Sequence, residues 1–114
     1  MENVTIVHNP HCSKSREALK LIESHGHEPK IIDYLKGELT SELLENIVRL
    51  LKIHPREIIR TKEDEYKTLS IDINDGNEVI AAIVKHPKLL ERPIVIKGDK
   101  AIIGRPPENI LALF

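Results

Sequence analysis

The stretch "VTIVHNPHCSKSREALKLIESHGHEPKIID", residues 4–33, decides how this chain folds. Val4, Thr5, Ile6 and Val7 form a β-branched run that Pro10 stops, the pattern of a short buried strand. Residues 13–25 then change to helical spacing, with Ala18, Leu19 and Ile22 on one face and Leu21 beside it. Ser13 or Ser15 is placed to cap the start, Glu17 lies in the first turn, and Gly26 follows the end. "EPKIIDYL" predicts a second strand around 29–33. Strand, helix and strand within about 30 residues make a βαβ unit, so the two strands run parallel.

Working outward, the middle of the chain is helical. Thr40 can cap a helix over 41–52 whose apolar side carries Leu43, Leu44, Ile47, Leu50 and Leu51. Pro55 suits the first turn of a short helix over 55–60. "TKEDEYKTLSI" is polar and irregular, with room for one helical turn, and its "KEDE" is most simply a solvated charge run. Asp75 and Glu78 form the pattern of a capping box for a helix over 77–86, which Pro87 ends. The last third changes period. "RPIVIKGDKAIIGRPP" reads as strand, Gly98-Asp99 turn and strand, a hairpin over about 93–103, and Pro106 and Pro107 open a final helix over 107–113. The order is βαβ, helices, ββα. It predicts one α/β domain over 1–114 with a mixed four-stranded sheet between helical layers, and a helical insert at about 40–86. This is the order of a thioredoxin-like three-layer fold that carries an insertion.

The totals set limits on function. The chain has 114 residues, enough for one domain. It is 40% hydrophobic with 3% aromatic residues and no Trp, so its core must be aliphatic. A net charge of −1 argues against nucleic-acid binding through bulk positive charge. No apolar run approaches the ~20 residues that span a bilayer, and "MENVTIVHNP" lacks the features of a signal peptide. A cytoplasmic location is expected, and a monomer is compatible with the near-neutral charge.

The chain has a single cysteine, Cys12, in the loop between the first strand and the first helix. In an open α/β sheet, ligands bind beyond the carboxyl ends of the strands, where this loop lies. The start of the helix offers unpaired N–H groups and a partial positive charge, both of which favour a thiolate and can hold an oxyanion. His8, if protonated, adds to the effect, and Ser15 can donate a hydrogen bond to the thiolate. The alternative is a buried structural cysteine. "CSKS" has Ser15 where a C-x-x-C pair would have its second thiol, so a bond formed at Cys12 cannot be resolved inside the chain. The second thiol must come from a small thiol such as glutathione or from a partner protein.

Three arginines have suggestive places. Arg60 ends the predicted 55–60 helix, while Arg92 and Arg105 precede Pro93 and Pro106 on either side of the hairpin. Guanidinium forks match tetrahedral oxyanions, although an arginine in a sequence is more often an ordinary surface residue. Arg16, in the first turn after Cys12, reads equally well as solvated. His8, His11 and Cys12 could ligate a metal on paper, but no further ligand pattern accompanies them, so no metal is expected. His25 and His27 face water at a helix end, and His54 and His86, each before a proline, look structural.

Four segments, "HNPHCSKSREAL", "IIRTKEDEYKTL", "HPKLLERPIVI" and "IGRPPENIL", follow one another at spacings that resemble the glutaredoxin-coupled arsenate reductases of the thioredoxin superfamily. The resemblance covers nearly the whole chain. It implies that Cys12 is the nucleophile that attacks arsenate, with His8 close to it. It implies that Arg60, Arg92 and Arg105 bind the oxyanion and that the bond before Pro93 is cis. The implied route is a Cys12–arsenate adduct, attack by glutathione as co-substrate, and reduction by glutaredoxin to release arsenite, with no bound cofactor. One departure is Ser13, where many members have Gly after the cysteine. It leaves open a related glutathione-dependent thiol oxidoreductase or deglutathionylase. The fold also resembles a transcription regulator with a C-x-x-C switch, which "CSKS" lacks.

Overall fold

The structure, a computed structural model, describes residues 3–91 and 93–114, and of Leu35 the backbone only. Strand β1 covers Val4–His8 and is followed by helix α1, Ser13–Ser24. Strand β2, Lys30–Asp33, runs into a single 3-10 turn at Tyr34–Lys36. Helices α2 (Ser41–Leu51), α3 (Asp64–Lys67) and α4 (Gly76–Lys85) come next, with 3-10 turns at Pro55–Glu57 and Pro87–Leu89. Strands β3 (Ile94–Lys97) and β4 (Lys100–Ile103) form the hairpin, and a 3-10 segment at Pro107–Leu113 completes the described order. The chain divides into two compact units, residues 1–38 with 92–114 and residues 39–91.

The first unit holds a mixed sheet in the order β2-β1-β3-β4. β1 is parallel to β2 and antiparallel to β3, as the βαβ reading requires. Alternation along each strand sorts the side chains into rows across the sheet. Ile6 stands opposite Val95, and Val95 opposite Ile102. With Val4, this row packs on Ala18 and Ile22 of α1 and on Ile110, while Leu113 and Phe114 lie against the same cluster. Val7 and Ile94 form the alternate row and are fully buried as well. The hairpin turns at Gly98, whose φ of 60° lies in the left-handed region that a side chain would strain. The final segment, expected as a helix over 107–113, is 3-10 helix.

The second unit is helical. Thr40 caps α2 as expected, its Oγ1 accepting the Leu43 N–H at 3.1 Å. α2 packs on α4, and Leu44, Ile47, Val79, Ile80 and Ile83 are buried. Two expectations are corrected. The helix predicted over 55–60 is only a 3-10 turn, because Ile59 pairs in strand fashion with Leu90 and the Arg60 N–H donates to the Leu89 carbonyl at 2.7 Å. The turn is nevertheless closed by a capping box: His54 Nδ1 accepts from the Arg56 N–H and Glu57 accepts from the His54 N–H. That gives His54 the structural role its place before Pro55 suggested. The Asp75 cap of α4 is present, with Oδ1 accepting from the Asn77 and Glu78 N–H groups, but Glu78 reaches back to the Asp72 N–H and not to its own cap.

Gly104 lies where the chain leaves β4 for Arg105. Its N–H donates to the Pro93 carbonyl at 2.8 Å. A Cβ here would stand 3.0 Å from Pro93 Cγ and 3.2 Å from Ile110 Cγ2. Gly104→Ala is therefore expected to cost about 1–3 kcal/mol by overpacking. Urea unfolding checks this: the midpoint should fall with the slope unchanged.

Candidate active site

The site is built from the end of β1, the loop after it and the first turn of α1. His8, the last residue of β1, is buried, and Ser15, in the first turn, is fully so. His8 Nδ1 and Ser15 Oγ are 2.5 Å apart. The same hydroxyl accepts the Asn9 N–H at 3.0 Å. Asn9 then shapes the loop. Its carbonyl accepts the Cys12 N–H at 3.0 Å and its Oδ1 accepts the His11 N–H at 2.9 Å, a turn closed by side chain and backbone together. From the helix side, the Arg16 guanidinium donates to the Pro10 carbonyl at 2.9 Å. Neither contact is among the expectations from the sequence. The Asn-Pro pair after a strand was the available signal for the turn; nothing local marks Arg16 as the loop's second anchor.

These bonds place Cys12 at the N-cap of α1, correcting the expectation that Ser13 or Ser15 occupies it. Its backbone is extended, with φ −96° and ψ 122°, and its carbonyl accepts the Arg16 N–H at 3.0 Å. Ser13 falls inside the helix, and the Ser15 hydroxyl is turned inward to His8. The Cys12 side chain makes no capping bond to the helix, and the residue is partly exposed. The partial positive charge of the helix start therefore acts on a thiol that solvent can reach; Glu17, expected in the first turn, falls beyond it, so no acidic side chain there opposes the effect.

Burial pushes the His8 imidazole below its ordinary 6.5; Asp33 pulls it back up and Arg16 pushes it down. His8 is thus held toward the neutral form, a proton acceptor more than a standing cation. A hydroxyl has one proton and two acceptor sites. Ser15 already accepts from Asn9, so while Nδ1 is unprotonated the Ser15 proton goes to it. Once Nδ1 carries a proton, it donates to Ser15 and the hydroxyl proton is released for another acceptor. The expected Ser15 bond to a thiolate is thereby tied to the state of His8.

Arg105 leaves β4 in the same unit, partly buried. Its N–H donates to the Ile103 carbonyl at 3.0 Å and its carbonyl accepts from the Asn109 side chain at 3.0 Å. The bond it forms with Pro106 is cis. Arg60 belongs to the other unit and pairs with Glu63 at 3.0 Å. Arg92 lies outside the described residues, and with it the bond to Pro93 expected to be cis. His86 pairs with Glu65 at 3.3 Å, in keeping with a structural role. His27 does not simply face water: its ring lies 4.8 Å from that of Phe114, and His25 stacks on the same ring. Among the described residues no group of three or more His, Cys, Asp or Glu is placed to hold a metal ion. Among them, too, no helix is long and apolar enough to cross a membrane.

The ArsC family model matches residues 7–113, from the end of β1 to the C-terminal 3-10 segment. The chain belongs to the ArsC family. An arsenate reductase of Haemophilus influenzae is 48% identical over 114 residues, covering 97% of this chain and 98% of that protein. The uncharacterized protein YfgD of Escherichia coli is 44% identical over 115 residues, covering 98% of this chain and 97% of that one. Among solved structures, an arsenate reductase from Vibrio cholerae superposes with a TM-score of 0.90 at 41% identity, over 99% of this chain and 98% of that chain. The thioredoxin-like α/β architecture of this family is the one expected from the order of elements.

The lowered pKa of His8 has a consequence for stability. The unfolded chain binds the proton at an ordinary 6.5 and the folded chain binds it only at lower pH. The contribution of His8 to stability is therefore present above 6.5 and lost as pH falls through the folded-state value. Urea unfolding at pH 7.5 and 5.0 should show a larger acid loss for the native sequence than for His8→Asn. Equal losses would exclude the burial effect.

Proposed function

We propose that this protein reduces arsenate to arsenite with Cys12 as nucleophile. The observation that carries the reading is the one cysteine of the chain standing at the start of α1, partly exposed, beside the His8–Ser15 pair. Close relatives named arsenate reductase support the substrate. The Cys12 thiolate attacks arsenic and an oxygen leaves as water, giving a Cys12–S–As(V) adduct. Arg60, Arg92 and Arg105 bind the remaining oxygens, forked donors offsetting the anion's charge. Glutathione then attacks the adduct. The two electrons that take As(V) to As(III) come from two thiols outside the chain, those of glutathione and glutaredoxin, and arsenite leaves. No bound cofactor takes part, and a monomer in a reducing cytoplasm suits this route.

Ser13 favours a second reading. A side chain directly after the nucleophile, where many members have Gly, narrows the approach to the helix start. A glutathione-dependent thiol oxidoreductase or deglutathionylase needs the thiolate and a glutathione site but not all three arginines.

The test is arsenate-dependent NADPH oxidation with glutathione, glutaredoxin and glutathione reductase supplied. Turnover by the native protein should vanish in Cys12→Ser. Arg105→Ala should raise the arsenate KM about tenfold or more, since a hydrogen bond to a charged group contributes about 1.5–3 kcal/mol. Turnover retained by Cys12→Ser would overturn the mechanism. A native protein silent with arsenate but active on a glutathionylated peptide would establish the second reading.

A further inference from the structure

His8 has a charged neighbour on the adjoining strand. In the parallel ladder of β1 and β2 its partner is Asp33, the last residue of β2. Partners in such a ladder project from the same face of the sheet, with strands about 4.8 Å apart. Both residues stand at the carboxyl ends of their strands, the end from which the Cys12 loop departs. The imidazole thus has the Ser15 hydroxyl at Nδ1 and a carboxylate from the adjoining strand on its own face. Arg16 of α1 is the opposing charge, and Cys12 lies in the loop above. On the other side of β1, the nearest β3 residue on the same face is the apolar Val95, opposite Ile6.

We propose that Asp33 is a positioning residue for Cys12, acting through His8; this rests on the reading of Cys12 as an activated nucleophile. When Cys12 loses its proton to His8, a thiolate and an imidazolium form and the total charge is unchanged. The carboxylate of Asp33 takes no part in the proton transfer. It stabilises the imidazolium in a site where burial opposes it, and so raises the share of Cys12 present as thiolate. The logic is that of a nucleophile, its base and a third group that orients the base. It also accounts for a polar residue ending β2, where Ile32 beside it is buried.

The sign of the effect discriminates. A carboxylate acting through His8 favours the thiolate; one acting on Cys12 directly repels it. With one cysteine in the chain, alkylation by iodoacetamide reports on Cys12 alone. Asp33→Asn should move the midpoint of the pH–rate profile up by about one unit, slowing the reaction roughly tenfold below that midpoint. Asp33→Glu should restore most of the rate. In a His8→Asn background, Asp33→Asn should change nothing further, since the interaction it removes is already gone. An unchanged profile, a faster reaction, or a full effect without His8 would each overturn the role of Asp33 while leaving the activated thiol intact. A native protein whose Cys12 titrates at the ordinary ~8.5 would instead overturn the activated-thiol reading, and the role of Asp33 with it.

Discussion

The hydrogen bond between His8 Nδ1 and Ser15 Oγ ties the end of β1 to the first turn of α1. Both groups are buried, so each would lose more by parting than an exposed pair would. The bond fixes how far the chain can wander between strand and helix. Asn9 must then fold the loop on itself, and Cys12 becomes the residue at which the helix begins. A polar pair inside an aliphatic core is costly unless every member is satisfied. Here the Asn9 N–H donates to Ser15 as well, at an acceptor site the His8 bond leaves open. The position of Cys12 therefore follows from satisfying buried polar atoms as much as from helix geometry.

Much of this was legible in the sequence because it is local. β-branched runs marked the strands, Thr40 and Asp75 marked helix starts, and the Gly98-Asp99 pair marked the hairpin. The departures share one cause, partners that lie outside the local element being read. Ile59 has helical neighbours in sequence, but its backbone pairs with Leu90. Glu78 has a cap to close, yet bonds to Asp72. Ser15 has the composition of an N-cap, but its hydroxyl is drawn to a histidine on a strand. At the site, the cysteine, its loop and the neighbouring histidine could be read from position and residue type. The place of Asp33 could not, because strand register is a property of the assembled sheet.

A single thiol also separates chemistry from turnover. A protein with a cysteine pair carries both bond formation and its reversal. This chain has one cysteine and so could supply only the first. Arg16 illustrates the consequence: its guanidinium is spent on the Pro10 carbonyl, holding backbone. Arg60, similarly, already has Glu63 at hand, so any anion it receives must compete with a carboxylate.

The central strand joins distant parts of the chain. β1 pairs with β2 soon after it is made, but Ile6 meets Val95 only when most of the sequence is available. During synthesis β2 is therefore available to β1 early, and β3 only late. Sheets closed across such separations fold slowly. Their equilibrium stability, by contrast, is tolerant of what lies between, since doubling an intervening flexible loop costs only about 0.6 kcal/mol. Evolution can thus lengthen, shorten or rebuild the segment between β2 and β3 at little thermodynamic cost, provided its two ends still deliver the hairpin to β1.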